Sequence, residues 1–276
     1  MFMQRALVAA ILVGSLCSSL SFFVVLKRLS FLGVGISHAA LGGIALGVVT
    51  GLNPLLAGGA FAVATAIATG VISRGGKLSE DTVIGILYAA GMALGIALIS
   101  TARGYYPELF SLLFGNILAV TSRELWMLGA VTAAVLLYIC LFFKELLALC
   151  FDEEMALASG IPVTILYLGL LVAIALTVIC SAQLVGTVLV SALLVIPAAT
   201  GYRLSQNFRA MLAISVLVGI SGSLGGLMLS YYYRIPPGAS IVLAMTTMFT
   251  CSLIAGLTSC KWIQYAKIIK EGFFKP

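Results

Sequence analysis

Acidic side chains are missing from the long apolar stretches of this chain. All nine, Glu80, Asp81, Glu108, Glu124, Glu145, Asp152, Glu153, Glu154 and Glu271, fall between those stretches, at their ends or in the tail. Proton-coupled secondary transporters commonly relay protons through intramembrane Asp or Glu, and P-type pumps use such groups as cation ligands. Both classes lose ground here. Histidine is scarcer still, because His38 is the single one in 276 residues, and one imidazole cannot complete a metal site. The six cysteines, Cys17, Cys140, Cys150, Cys180, Cys251 and Cys260, form no CxxC or other metal-ligand spacing. Several fall inside apolar stretches and read as small packing thiols. No GxxxxGK[ST] pattern occurs, so the chain carries no Walker-type nucleotide site of its own, and any ATP that drives it binds another polypeptide.

Charge is scarce throughout, at 9% of positions against 62% hydrophobic residues, a balance that leaves a soluble fold too little polar surface to cover itself. Apolar segments of about 17–25 residues recur with charges confined to the gaps, each long enough to cross a hydrocarbon core of roughly 30 Å as a helix. Barrel strands would be shorter and alternating. The fold class is therefore all-α integral membrane, a polytopic bundle of eight or nine transmembrane helices forming a single domain over 1–276. Crossings are expected near 5–26, 33–50, 55–73, 83–101, 125–143, 164–182, 184–200, 210–232 and 239–258. The first has no small-residue cleavage site and reads as a retained span. Residues 184–200 follow the preceding span across only Ser181, Ala182 and Gln183 and carry Pro197, while 109–119 is too short to cross. Either could be a re-entrant or broken helix.

The net charge of +6 speaks about topology and not about nucleic acid, because the basic residues lie between spans and at the C-terminus. Nine crossings with the C-terminus cytoplasmic leave only Arg5, Arg103, Arg123 and Arg234 of the fifteen basic residues outside. The positive-inside rule then gives N-out and C-in. Small residues recur every fourth position at Gly35, Ala39, Gly43, Gly47 and Gly51, and Gly91 with Gly95 and Gly222 with Gly226 repeat the spacing. Such ridges let helices approach closely in lipid.

His38 sits beside the first ridge, about 6 residues or roughly 9 Å inside its helix. An imidazole there is either a neutral hydrogen-bonding contact to a neighbouring helix or a group that meets a transported ion. A serine hydrolase built on Ser37 and His38 is disfavoured, since adjacent helical residues point about 100° apart. The stretch 146–163, LLALCFDEEMALASGIPV, reads as a short helix with an acidic start, stopped by Gly160 and Pro162. It is either a solvated connector or a docking element for a cytoplasmic partner.

Six stretches together resemble the membrane permease of the bacterial zinc, manganese and iron ABC importers. They are SHAALGGIALG at 37–47, IGILYAAGMALGIALIS at 84–100, LLFGNILAV at 112–120, FDEEMALASGIPV at 151–163, VGTVLVSALLVIPAAT at 185–200 and PPGASIVLA at 236–244. The resemblance runs in order over most of the chain, the connector and LLVIPAAT being its most specific pieces. It implies a multi-pass protein of the bacterial plasma (inner) membrane, with a pathway along the two-fold interface with a second permease copy or paralogue. It also implies two cytoplasmic ATP-binding subunits, an extracytoplasmic metal-binding receptor, and zinc, manganese or iron as cargo, with no tightly bound cofactor. By the same resemblance Glu153, Glu154, Ala156, Ser159 and Gly160 belong to the coupling helix that fits a cleft on the ATPase. His38 matches the family histidine, with Gly35, Ala39 and Gly43 as the packing ridge beside it. Many members carry an Asp one turn before this His, where Val34 stands here. The alternative is a secondary transporter with discontinuous helices, which the Gly and Pro interruptions near 197 and 236 permit.

Overall fold

The computed structural model describes residues 2–76, 78–101, 115 and 120–258. Every regular element among them is helical: α1 (Phe2–Leu26), α2 (Leu32–Thr50), α3 (Pro54–Gly75), α4 (Glu80–Thr101), α5 (Ser122–Leu141), α6 (Phe143–Phe151), α7 (Glu153–Ala158), α8 (Val163–Val185), α9 (Thr187–Leu193), α10 (Ile196–Leu204), α11 (Phe208–Tyr233) and α12 (Pro237–Thr258). Nine segments among the described residues are long and apolar enough to cross a membrane, with α9 and α10 together supplying the seventh. The stretch 109–119 lies outside the described residues apart from Gly115.

Helix ends follow local chemistry. Asn53 caps α3 by accepting from the Leu55 and Leu56 amides at 3.0 and 3.4 Å, with Pro54 at the first helical position, where its missing N–H costs nothing. Thr121 and Glu124 form a reciprocal capping box at the start of α5. The boundary between the sixth and seventh spans differs from the expectation. Ser181, Ala182 and Gln183 contain no helix breaker, so α8 continues to Val185 and turns only at Gly186, whose φ of 87° favours glycine. The seventh span is then interrupted between Leu193 and Ile196, because Pro197 has no N–H with which to continue the ladder. The buried Ala198 amide just beyond the break donates to Ser21 Oγ of α1 at 3.2 Å, which satisfies one of the backbone groups that the break frees.

The core is built on α1, α2 and α8, whose most apolar windows are 67–72% buried within the chain, whereas those of α4, α5 and α12 are only 22% buried. The outer helices therefore present most of their apolar surface to lipid or to other subunits. Glycines permit close approaches between helices. A Cβ at Gly226 of α11 would lie 2.7 Å from the Ile241 amide nitrogen of α12, and one at Gly14 of α1 would lie 2.9 Å from the Gly219 carbonyl of α11. Of the cysteines, Cys17 and Cys180 are buried as expected of packing thiols, but Cys140 and Cys251 are exposed. Their helices are peripheral, so an apolar segment does not guarantee burial within the chain.

Candidate translocation and coupling sites

α2 lies between α3 and α4, and its small residues divide between them. Gly35, Ala39 and Gly42 face α4: a Cβ at Gly91 would lie 2.8 Å from Ala39 Cα, one at Gly42 would lie 2.6 Å from the Gly91 carbonyl, and one at Gly35 would strike Ile84. Gly43 faces α3 instead, where its Cβ would lie 2.7 Å from the Ala57 carbonyl. A four-residue step overshoots a full turn by about 40°, so a ridge that begins against one neighbour rotates onto the next. The predicted ridge Gly35, Ala39, Gly43 is close-packed throughout, but it serves two interfaces.

His38 is half-buried on α2, with its ring centroid 5.3 Å from that of Tyr88 on α4. Its Nδ1 lies 3.1 Å from the Val34 carbonyl, one turn earlier. A carbonyl cannot donate, so this contact places a proton on Nδ1, and in the neutral ring Nε2 is then the Lewis-basic position. Nε2 has no hydrogen-bond partner among the described residues. The Ser37 hydroxyl donates to the same carbonyl at 2.9 Å and stands 3.2 Å from Nδ1. The 100° argument against contact between these neighbours therefore fails, because both side chains fold back towards the preceding turn. The contact leaves Nδ1 engaged with a backbone carbonyl and does not create a base for Ser37.

Below this ring pair runs a groove of about 450 Å³, lined by Phe31, Val34, Gly35, Asp81, Ile84, Gly85 and Tyr88. Val34 occupies its wall, and Asp81 in the first turn of α4 provides the one carboxylate among its lining residues. No group of three or more His, Cys, Asp or Glu side chains suited to a metal ion exists among the described residues. Tyr88 and Asp81 were not singled out in the sequence, although the spacing Asp81, Ile84, Tyr88, Gly91, Gly95 is that of one helical face.

At the same end of the bundle lies the connector. The single short helix expected over 146–163 is two helices, α6 and α7, parted at Asp152, whose backbone is extended and whose carboxylate caps α7 by accepting from the Met155 amide at 2.9 Å. An Asp in a run of helix formers competes for backbone donors and starts a new helix. Leu146 and Leu149 of α6 are fully buried, and Phe143 packs on Phe22 and Phe23 of α1 at 6.3 and 6.2 Å. Burial pushes the Cys150 thiol up to about 12, only partly offset by the nearby Lys27 charge, so it stays protonated as a packing group.

The predicted coupling residues part company in space. Ala156 is buried, Glu154 and Ser159 are exposed, and Gly160 takes a φ of 79° that ends the helix. Glu153 turns into the bundle, where Lys27 beyond α1 donates to its Oε2 at 3.0 Å and Arg74 of α3 pairs with its Oε1. Arg74 also donates to Thr164 Oγ1 of α8 at 2.8 Å, and its guanidinium lies 4.7 Å from the centre of the Tyr167 ring. The Tyr167 hydroxyl donates to Glu80 at the start of α4. The exposed side of the connector carries Phe151, Met155 and Leu157, each at least 60% exposed.

An all-helical multi-pass bundle with a broken span, an intramembrane imidazole beside a groove and a capped connector helix defines a membrane transport subunit. The chain belongs to the ABC 3 transport family, which it matches over residues 1–256, and is the membrane permease rather than an enzyme. It is 39% identical over 248 residues to the manganese transport system membrane protein MntC of Halalkalibacterium halodurans, covering 90% of this chain and 85% of that protein. It is 35% identical over 253 residues to a probable iron transport system membrane protein of Haemophilus influenzae, covering 91% and 93%. Its structure resembles PsaBC from Streptococcus pneumoniae in complex with Fab, with a TM-score of 0.82 at 36% identity, covering 97% of this chain and 95% of that one. Membership of this family of ABC importer permeases sets aside the secondary-transporter alternative.

Proposed function

We propose that this chain carries a divalent metal cation, manganese or iron before zinc, into a bacterial cell through the plasma membrane. The carrying observation is His38: Nδ1 is engaged by the Val34 carbonyl, Nε2 is left unpartnered among the described residues, and Tyr88 and the groove lie alongside. Imidazole nitrogen binds manganese and iron more weakly than the later first-row ions, and without a carboxylate at position 34 the ion is held loosely enough to leave. The names of the relatives favour manganese and iron.

In this reading two permease copies meet with their His38 rings near the two-fold axis, with Gly35, Ala39 and Gly43 holding the α2 wall in place. A receptor outside the cell delivers the ion, and two cytoplasmic ATPase subunits seat the connector. The exposed apolar side chains of Phe151, Met155 and Leu157, with Glu154 and Ser159, form the docking face, and Ala156 and Gly160 shape the helix. The N-terminus is outside and the C-terminus inside. Lys27, Arg74, Glu80 and Glu153 gather at one end of the bundle and Asn53, Arg123, Glu124 and Gln183 at the other, which suits this topology.

The test is reconstitution in vesicles with the ATPase subunits and receptor, followed by ATP-dependent uptake of Mn²⁺, Fe²⁺ and Zn²⁺. Accumulation of Mn²⁺ or Fe²⁺ that requires ATP inside the ATPase-bearing compartment supports the reading. Uptake of none of the three, or uptake independent of ATP, overturns it.

A further inference from the structure

The polar cluster under the connector contains more than a helix anchor needs. Both oxygens of Glu153 are occupied, by Lys27 and by Arg74, although its side chain is still 40% exposed. Arg74 and Lys27 both also approach the ring of Tyr167, at 4.7 and 5.7 Å from its centre. Cations over an aromatic face are held by the ring quadrupole, and more firmly when removed from water. Tyr167 is only 1% exposed. Its hydroxyl reaches Glu80, the first residue of α4. One continuous chain of contacts thus joins the first residue of the connector helix to the first residue of the helix that carries Tyr88.

From Glu80 onward the link is mechanical. α4 meets α2 backbone to backbone at Gly91 against Ala39, where there is no room for a side chain, and at Gly95 against Gly42, where even a Cβ would be tight. Interfaces of this kind move as a unit, because densely packed elements do not deform continuously. A shift of Glu80 along its helix axis is therefore delivered to the His38 and Tyr88 ring pair.

We infer that Tyr167 is a positioning residue for transport: it transmits displacement of the connector, received through Glu153 and Arg74, to α4 through its hydrogen bond to Glu80, and so ties ATPase closure to the groove beside His38. This rests on the reading of the chain as a permease driven by separate ATPase subunits. It assigns Glu153 an inward task, distinct from that of the exposed Glu154. Thr164 holds the Arg74 end of the relay and Lys27 the Glu153 end, so the ring and the carboxylate keep their relative places when the connector moves.

The test uses the full complex in vesicles, with Mn²⁺ uptake and ATP hydrolysis measured on the same preparation. Tyr167→Phe keeps the ring under Arg74 and removes only the hydroxyl. Glu80→Ala removes the acceptor from the other side, and serves if the first variant assembles poorly. Each is expected to keep hydrolysis within about twofold while Mn²⁺ moved per ATP falls about tenfold, and the double variant should be no worse than either single, as for two ends of one contact. An unchanged ratio of uptake to hydrolysis, a parallel fall of both, or a double loss equal to the product of the single losses overturns the inference. Failure of the wild-type complex to transport with ATP would instead overturn the proposed function, so the two failures are distinguishable.

Discussion

The groove beside His38 and the cluster under the connector lie at the same end of the bundle, yet they are built on opposite principles. Around His38 the fold supplies one imidazole, one aromatic ring and a wall of small residues, and among the described residues the imidazole's hydrogen-bonding contacts lie within its own helix. Under the connector, Glu153, Lys27, Arg74, Tyr167 and Glu80 bind together the ends of several helices. A site that must release an ion gains from sparse ligation, whereas a joint that must transmit force gains from redundant contacts. The contrast suits the proposed roles, passage for the first region and coupling for the second.

The comparison can be broken most severely at the packing that links its halves. Gly91→Val places a branched side chain against the Ala39 backbone, and such overpacking costs about 1–3 kcal/mol or more. Thermal unfolding in detergent should show a large loss of stability with transport abolished, whereas Gly85→Ala, on the same helix with open space around it, should leave stability unchanged. Equal stability of the two variants would show that the α2 and α4 contact is not tight.

His38→Ala is next in size. Losses in a metal ion's outer shell alone cost about 10- to 100-fold, and removal of a direct contact should lower uptake by at least that, with unfolding temperature unchanged. Undiminished uptake with the same metal preference would remove His38 from the pathway.

Charge reversal separates the two acids of the connector. Glu153→Lys sets a third cation against Lys27 and Arg74, and should lower the unfolding temperature by about 2–4 °C for each kcal/mol lost, as well as impairing uptake. Glu154→Lys, exposed and outside the cluster, should leave stability alone and weaken only the fit to the ATPase, read as reduced copurification. The same loss of stability in both would erase the distinction drawn between them. The smallest effect sharpens the first region: Val34→Asp, half-buried one turn before His38, restores a carboxylate and should tighten metal binding about tenfold while slowing release, seen as a lower half-saturating concentration and a lower maximal rate.

The helical class and nearly all of the spans were legible because helix formation in a membrane is a local property. Each segment satisfies its own backbone hydrogen bonds and needs only length and apolarity. His38 was legible for a related reason, since a lone ionisable group in an apolar run stands out whatever surrounds it. The stop at Gly160 was written in local chemistry as well. The division of the connector at Asp152 was missed, because a cap and an acidic first turn look alike until the backbone is seen.

By itself the sequence determined a multi-pass helical bundle, a solitary imidazole and an acidic connector. Only the tertiary structure decided that Glu153 faces inward while Glu154 faces out, since adjacent residues on one short helix differ in fate according to which neighbours lie beneath them. It alone brought Tyr88 to His38, and Lys27, Arg74 and Glu80 to one tyrosine. Each of those residues is far along the chain from the ring it meets, and no periodicity within a single helix carries information about which helix packs beside it.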